Sequence, residues 1–109
     1  MATPEGKIKT KIKKLLKTYE DQGIYYEMPV PSGYGKSGLD FYGCFRGYFF
    51  AIEAKALKGM VTPLQDFTIN NIRASGGAVF VIRDDHGLKE LDVWLVMVSA
   101  MNRQLVQVL

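Results

Sequence analysis

The chain has one cysteine, Cys44, and one histidine, His86, among 109 residues. A single cysteine excludes an internal disulfide framework and a cysteine-rich zinc site, and it makes an intracellular setting the default expectation. A single histidine leaves metal sites that need two without support. The longest apolar run, Val93 to Val98, is far too short to cross a bilayer. The amino terminus carries no apolar signal segment. There are no internal repeats, no low-complexity tracts and no linker between domains. What is present fits one soluble globular domain, 1–109: 48% hydrophobic and 23% charged residues.

Charge is modest in total and concentrated in place. The net charge is +3, yet Lys7, Lys9, Lys11, Lys13, Lys14 and Lys17 fall within eleven residues. Such a cluster points to a polyanionic partner more strongly than the total does. It lies on an expected helix that opens with Thr3-Pro4-Glu5: a capping hydroxyl, a proline in the first turn and an acid favoured by the helix dipole. Ile8, Ile12, Leu15, Leu16 and Tyr19 form one apolar stripe, and the lysines take the remaining face. Glu5 falls within the stripe and points toward the core.

A strand is expected over Ile24 to Val30, at a sheet edge because Pro29 and Pro31 cannot donate to a ladder. Ser32 to Gly38 reads as a glycine-rich loop. Leu39 to Lys55 then reads as a hairpin turning at Arg46-Gly47. Pairing Phe45 with Tyr48 and counting outward sets Asp40 opposite Glu53, with Cβ atoms about 5 Å apart on one face. Lys55, two residues on, projects from the same face. One face would carry Asp40, Tyr42, Cys44, Phe49, Ala51, Glu53 and Lys55, the other Leu39, Phe41, Phe45, Tyr48, Phe50, Ile52 and Ala54. Both are largely apolar, so both should be covered, with Cys44 a small core residue. A bulge at Gly43 would shift this register and turn Asp40 away.

Thr62-Pro63-Leu64-Gln65 opens a second helix with a capping-box pattern, closing at Ser75-Gly76-Gly77. Ala78 to Arg83 is a buried strand, parallel to the second hairpin strand because a crossover helix joins them. Asp84 to Gly87 reads as a turn. Leu88, Leu91, Leu95 and Val98 favour a final helix, with Val93 to Val98 also readable as a strand. The result is a small α/β sandwich, a mixed sheet flanked by helices.

Two facing carboxylates repel, and a divalent cation is their natural offset. Oxygen ligands sit about 2.1 Å from Mg²⁺, so acids this close can share one ion that keeps several waters. The ordinary readings are an edge acid, a strand acid and a Glu53–Lys55 ion pair. The apolar surroundings weigh against these, since a covered strand keeps charges only when they are paired or coordinate something.

Glu5 on the first helix, Gly38-Leu39-Asp40 entering a strand, Glu53-Ala54-Lys55 on the next strand and Gln65 on the following helix together resemble the restriction-endonuclease-like PD-(D/E)XK superfamily, and within it the VRR-NUC domain. The order covers roughly residues 4 to 85; Leu39 stands where proline would precede the aspartate. The resemblance implies a restriction-endonuclease-like fold and phosphodiester hydrolysis dependent on Mg²⁺ or Mn²⁺. It also implies branched DNA such as a four-way junction as substrate and a homodimer; the compactness of such a nuclease suits a bacterial or phage-infected host. It makes Asp40 and Glu53 metal ligands, with the Ala54 carbonyl as a third and Glu5 joining directly or through water. Lys55 would orient the attacking water, and Gln65 would support Lys55 or a phosphate, beside its ordinary role as capping partner of Thr62. Lys7, Lys11 and Lys14, with Tyr34 and Lys36 of the glycine-rich loop, would contact DNA.

Overall fold

The computed structural model describes residues 3–30 and 38–101. A four-stranded mixed sheet is flanked by three helices, which is a small α/β fold. Helix α1, Pro4–Lys17, begins where the Thr3 hydroxyl accepts the Gly6 amide at 3.0 Å, and it buries Ile8, Ile12 and Leu16. A single 3-10 turn, Glu20–Gln22, leads into strand β1, Ile24–Glu27. Strands β2, Phe41–Phe45, and β3, Tyr48–Ala54, form the hairpin. Helix α2, Pro63–Ala74, crosses over to strand β4, Ala78–Ile82, and helix α3, Asp85–Ala100, closes the described chain.

The strand order is β1-β2-β3-β4, with the first two pairings antiparallel and β3–β4 parallel, as the crossover requires. Phe45 pairs with Tyr48 and Phe41 with Ile52, so the hairpin has the expected register. Arg46 and Gly47 both have positive φ, 52° and 88°, as a type I′ turn demands. Gly43 pairs with Phe50 without a bulge. The Phe50 ring and the Tyr25 carbonyl leave no room there for a Cβ.

One sheet face carries the main core. Phe41, Phe45, Phe50, Ile52, Ala54 and Ile82 pack against Ile8, Ile12 and Leu16 of α1 and Leu91, Leu95 and Val98 of α3. Fully burying such a side chain is worth about 1.5–3 kcal/mol, and this cluster is what anchors α1 over the sheet. A smaller cluster of Leu39, Ala51, Ile69 and Val79 lies under α2 on the other face.

Several expectations are corrected. The first strand ends at Glu27, three residues short of Val30, before the prolines. The buried strand over 78–83 is instead an edge strand, with Ala78, Phe80 and Val81 only half-buried. The segment from Asp84 to Gly87 is no separate turn: Asp84 caps α3 by accepting the Gly87 amide at 3.0 Å, and the helix runs through 93–98. Helices do not cover both faces throughout. One α2 leaves Tyr25 and Phe49 exposed, and Cys44 is exposed beside them, not a core residue. No helix among the described residues is long and apolar enough to cross a membrane.

Candidate metal centre

Helix α1, strand β3 and the residue leading into β2 deliver one acid each to the same place. Glu53 sits near the end of β3, where strand alternation turns it toward α2 and buries it to 1% exposure. Asp40 lies directly before β2, also buried. Glu5, in the first turn of α1, is half-buried. One carboxylate oxygen from each of Glu5, Asp40 and Glu53 lies within 4.8 Å of the others.

The two buried acids lock each other in place. The Asp40 amide donates to Glu53 Oε1 at 3.1 Å, and the Ala54 amide donates to Asp40 Oδ2 at 2.9 Å. Ladder pairing stops at Phe41–Ile52, and these side-chain bonds take over from it. The chain bends here. Strict alternation would put Leu39 on the same face as Phe41, yet Leu39 packs into the cluster under α2 with Ala51 and Ile69. The Leu39 amide donates to the Tyr42 hydroxyl at 2.8 Å, which satisfies the bend. The bend frees the Asp40 side chain from the pleat, so it reaches toward α1 as well as toward Glu53.

Gln65 is the capping partner of Thr62, and its side chain also turns inward, where it meets Glu53. The Gln65 backbone N–H donates to the Thr62 hydroxyl at 3.1 Å, and Gln65 Oε1 accepts the Thr62 amide at 3.2 Å. The remaining Nε2 donates to Glu53 Oε2 at 2.8 Å. A helix cap therefore fixes the rotamer of a carboxylate on the sheet. Lys55 Nζ lies 3.3 Å from the same Glu53 Oε2, with its side chain mostly enclosed.

A second lysine enters from α1. Lys9 Nζ lies 3.3 Å from Asp40 Oδ1. Sequence reasoning chose Lys7, Lys11 and Lys14 and missed Lys9. The signal was available: Lys9 is four residues after Glu5, about 40° round the helix from it, so a site that includes Glu5 also meets Lys9. Lys11 is on the far flank and pairs with Asp85 at 3.0 Å. Lys11 and Lys14 join Leu15, Leu88, Lys89 and Asp92 in lining a groove of about 450 Å³ between α1 and α3. Lys7 is exposed. Tyr34 and Lys36 lie outside the described residues.

No family model matches the chain, and no curated protein matches it.

Three carboxylates that close can hold a metal ion. The donor set is all oxygen, with no sulfur or imidazole in the cluster, which suits hard cations over zinc or copper. The two buried acids already have their rotamers fixed by backbone amides and Gln65. The Ala54 carbonyl belongs to the same strand end whose amide holds Asp40.

Proposed function

We propose that this chain is a Mg²⁺-dependent endonuclease that hydrolyses phosphodiester bonds in DNA, with Mn²⁺ able to substitute. The observation that carries this reading is the convergence of Glu5, Asp40 and Glu53 within 4.8 Å, with the Lys55 ammonium held on Glu53. Acids on a strand pair, a lysine two residues on and an acid from the first helix are the constellation of the VRR-NUC domain, which this chain resembles.

Asp40, Glu53 and Glu5 would hold the ion, with the Ala54 carbonyl as a further ligand. Bound there, a divalent cation lowers the pKa of coordinated water and offsets charge on the phosphate. Lys55 orients the attacking water and supplies positive charge where the pentavalent phosphorane becomes more anionic. Gln65 keeps Glu53 from rotating away. The lysine-rich face of α1 holds backbone phosphates without reading bases. The expected products carry a 5′-phosphate and a 3′-hydroxyl.

Four-way junctions are the favoured substrate and a homodimer the favoured assembly, since two sites related by a two-fold axis give paired nicks. The cytoplasm of a bacterium or of a phage-infected host is the setting. The test is cleavage of labelled four-way junction, flap, single-stranded and linear duplex DNA, in Mg²⁺ or chelator, by wild type and Lys55→Ala. Symmetric junction nicks that need Mg²⁺ and vanish in the variant support the whole reading. Preference for a flap or single strand keeps the chemistry and changes the role.

A second reading is favoured by the two ion pairs, Lys9 with Asp40 and Lys55 with Glu53, which already offset acidic charge. In it the protein is a non-catalytic basic DNA-binding module. Such a module binds DNA equally in chelator and cuts under no metal.

A further inference from the structure

The two lysines of the acidic cluster are not equivalent. Lys55 rises from the sheet, and its side chain is only 13% exposed. Lys9 reaches in from a helix, and its side chain is 34% exposed. Its partner Asp40 is held through Oδ2 by the buried Ala54 amide, while the Lys9 ammonium takes Oδ1. A flexible, partly solvated ammonium thus sits on an oxygen of an acid that the metal-site reading makes a ligand.

An ammonium and a dication on one carboxylate repel each other at short range, and the dication is the stronger ligand for a hard oxygen. Lys9 can leave at little cost, because its side chain is already about a third exposed and a lysine head extends readily into water on its flexible stem. Having left, it is still tethered one helical turn from Glu5, on the lysine-bearing helix.

We infer that Lys9 is a place-holding cation: it neutralises Asp40 before a divalent ion binds, gives way to that ion, and then contacts a substrate phosphate beside the cleaved one. The inference rests on the metal-site reading above. It makes Lys9 a positioning residue whose removal strengthens metal binding while weakening substrate binding. Damage to a site does the opposite to the metal.

The experiment is a Mn²⁺ titration of the full chain, with free Mn²⁺ read by electron paramagnetic resonance, for wild type, Lys9→Gln, Lys9→Arg, Lys13→Gln and Glu53→Gln. Lys13 is an exposed lysine of the same helix and reports the general effect of losing one charge. Lys9→Gln is expected to lower the Mn²⁺ Kd about fivefold, the scale of a partly exposed ion pair. Lys9→Arg should stay near wild type, and Lys13→Gln should change the Kd by less than about twofold. An unchanged or raised Kd for Lys9→Gln, or an equal gain for Lys13→Gln, overturns the inference and leaves the metal site standing. No Mn²⁺ binding that Glu53→Gln abolishes overturns the site itself, and Lys9's role with it. In Ca²⁺, four-way junction binding should then weaken several-fold more for Lys9→Gln than for Lys13→Gln. Equal losses would overturn the phosphate contact.

Discussion

Gln65 Nε2 donates to Glu53 Oε2 at 2.8 Å while the other end of the same amide accepts the N-cap N–H of α2. Helix start and candidate metal ligand are therefore one hydrogen-bonded unit. Gln65→Ala is expected to lower stability by about 1–2 kcal/mol, through the lost cap contact and the lost bond to a buried carboxylate. Gln65→Glu keeps a capping acceptor but sets a carboxylate against Glu53, so its stability should be low in chelator and recover in Mg²⁺. Thermal melts in both conditions decide this. Wild-type melting of both variants would remove Gln65 from the site.

Lys55→Ala is expected to cut turnover by roughly 10²–10³, the scale for removing one group aimed at developing charge. The far-ultraviolet circular dichroism should be unchanged, because the Lys55 amide still donates to the Ile82 carbonyl. Turnover at the wild-type rate would reduce Lys55 to the ordinary ion partner of Glu53.

Arg46 holds a φ of 52° at the first central position of the hairpin turn. Asparagine adopts this conformation more readily, so Arg46→Asn should raise stability by about 0.5 kcal/mol. The exposed bond from Arg46 to the Met101 carbonyl is lost and offsets little. A shift in the urea midpoint at unchanged slope measures the gain, and a lowered midpoint would contradict it.

Burial, and then the hydrogen bond and negative charge of Asp92, push the Tyr19 phenol up to about 12. The unfolded chain loses this proton near its ordinary value of about 10. Between those values the folded state binds more protons, so the contribution is complete below about pH 10 and is lost as pH rises toward 12. Tyr19→Phe keeps the ring edge on Phe45, 5.7 Å between centroids, and should flatten this alkaline loss. An identical alkaline melting profile would place the titration elsewhere.

Much of the fold was legible because local rules acted alone. The turn at Arg46-Gly47 set the hairpin register, and a period of two carried that register out to Phe41 and Ile52, one residue short of Asp40 and Glu53. The capping box at Thr62 and Gln65 was readable for the same reason. Covering the sheet was different. An apolar strand face states a need for a partner, but one α2 spans only part of that face, so Cys44 and Phe49 stand exposed. The start of α3 was missed because Asp84-Asp85-His86-Gly87 has turn chemistry, which an N-cap shares.

The sequence by itself determined that Asp40, Glu53 and Lys55 lie at one end of the β2–β3 hairpin, since covalent order and the turn at Arg46-Gly47 fix which residues come level there. Only the tertiary structure decided how these residues meet α1. The bend at Asp40, with Leu39 turning under α2, depends on packing between elements distant in the chain. So does the seating of α1, which brings Glu5 within 4.8 Å of both acids and Lys9 onto Asp40. Burial of Ile8, Ile12 and Leu16 against the sheet sets the rotation of that helix, and no periodicity within its fourteen residues reports where the sheet will be.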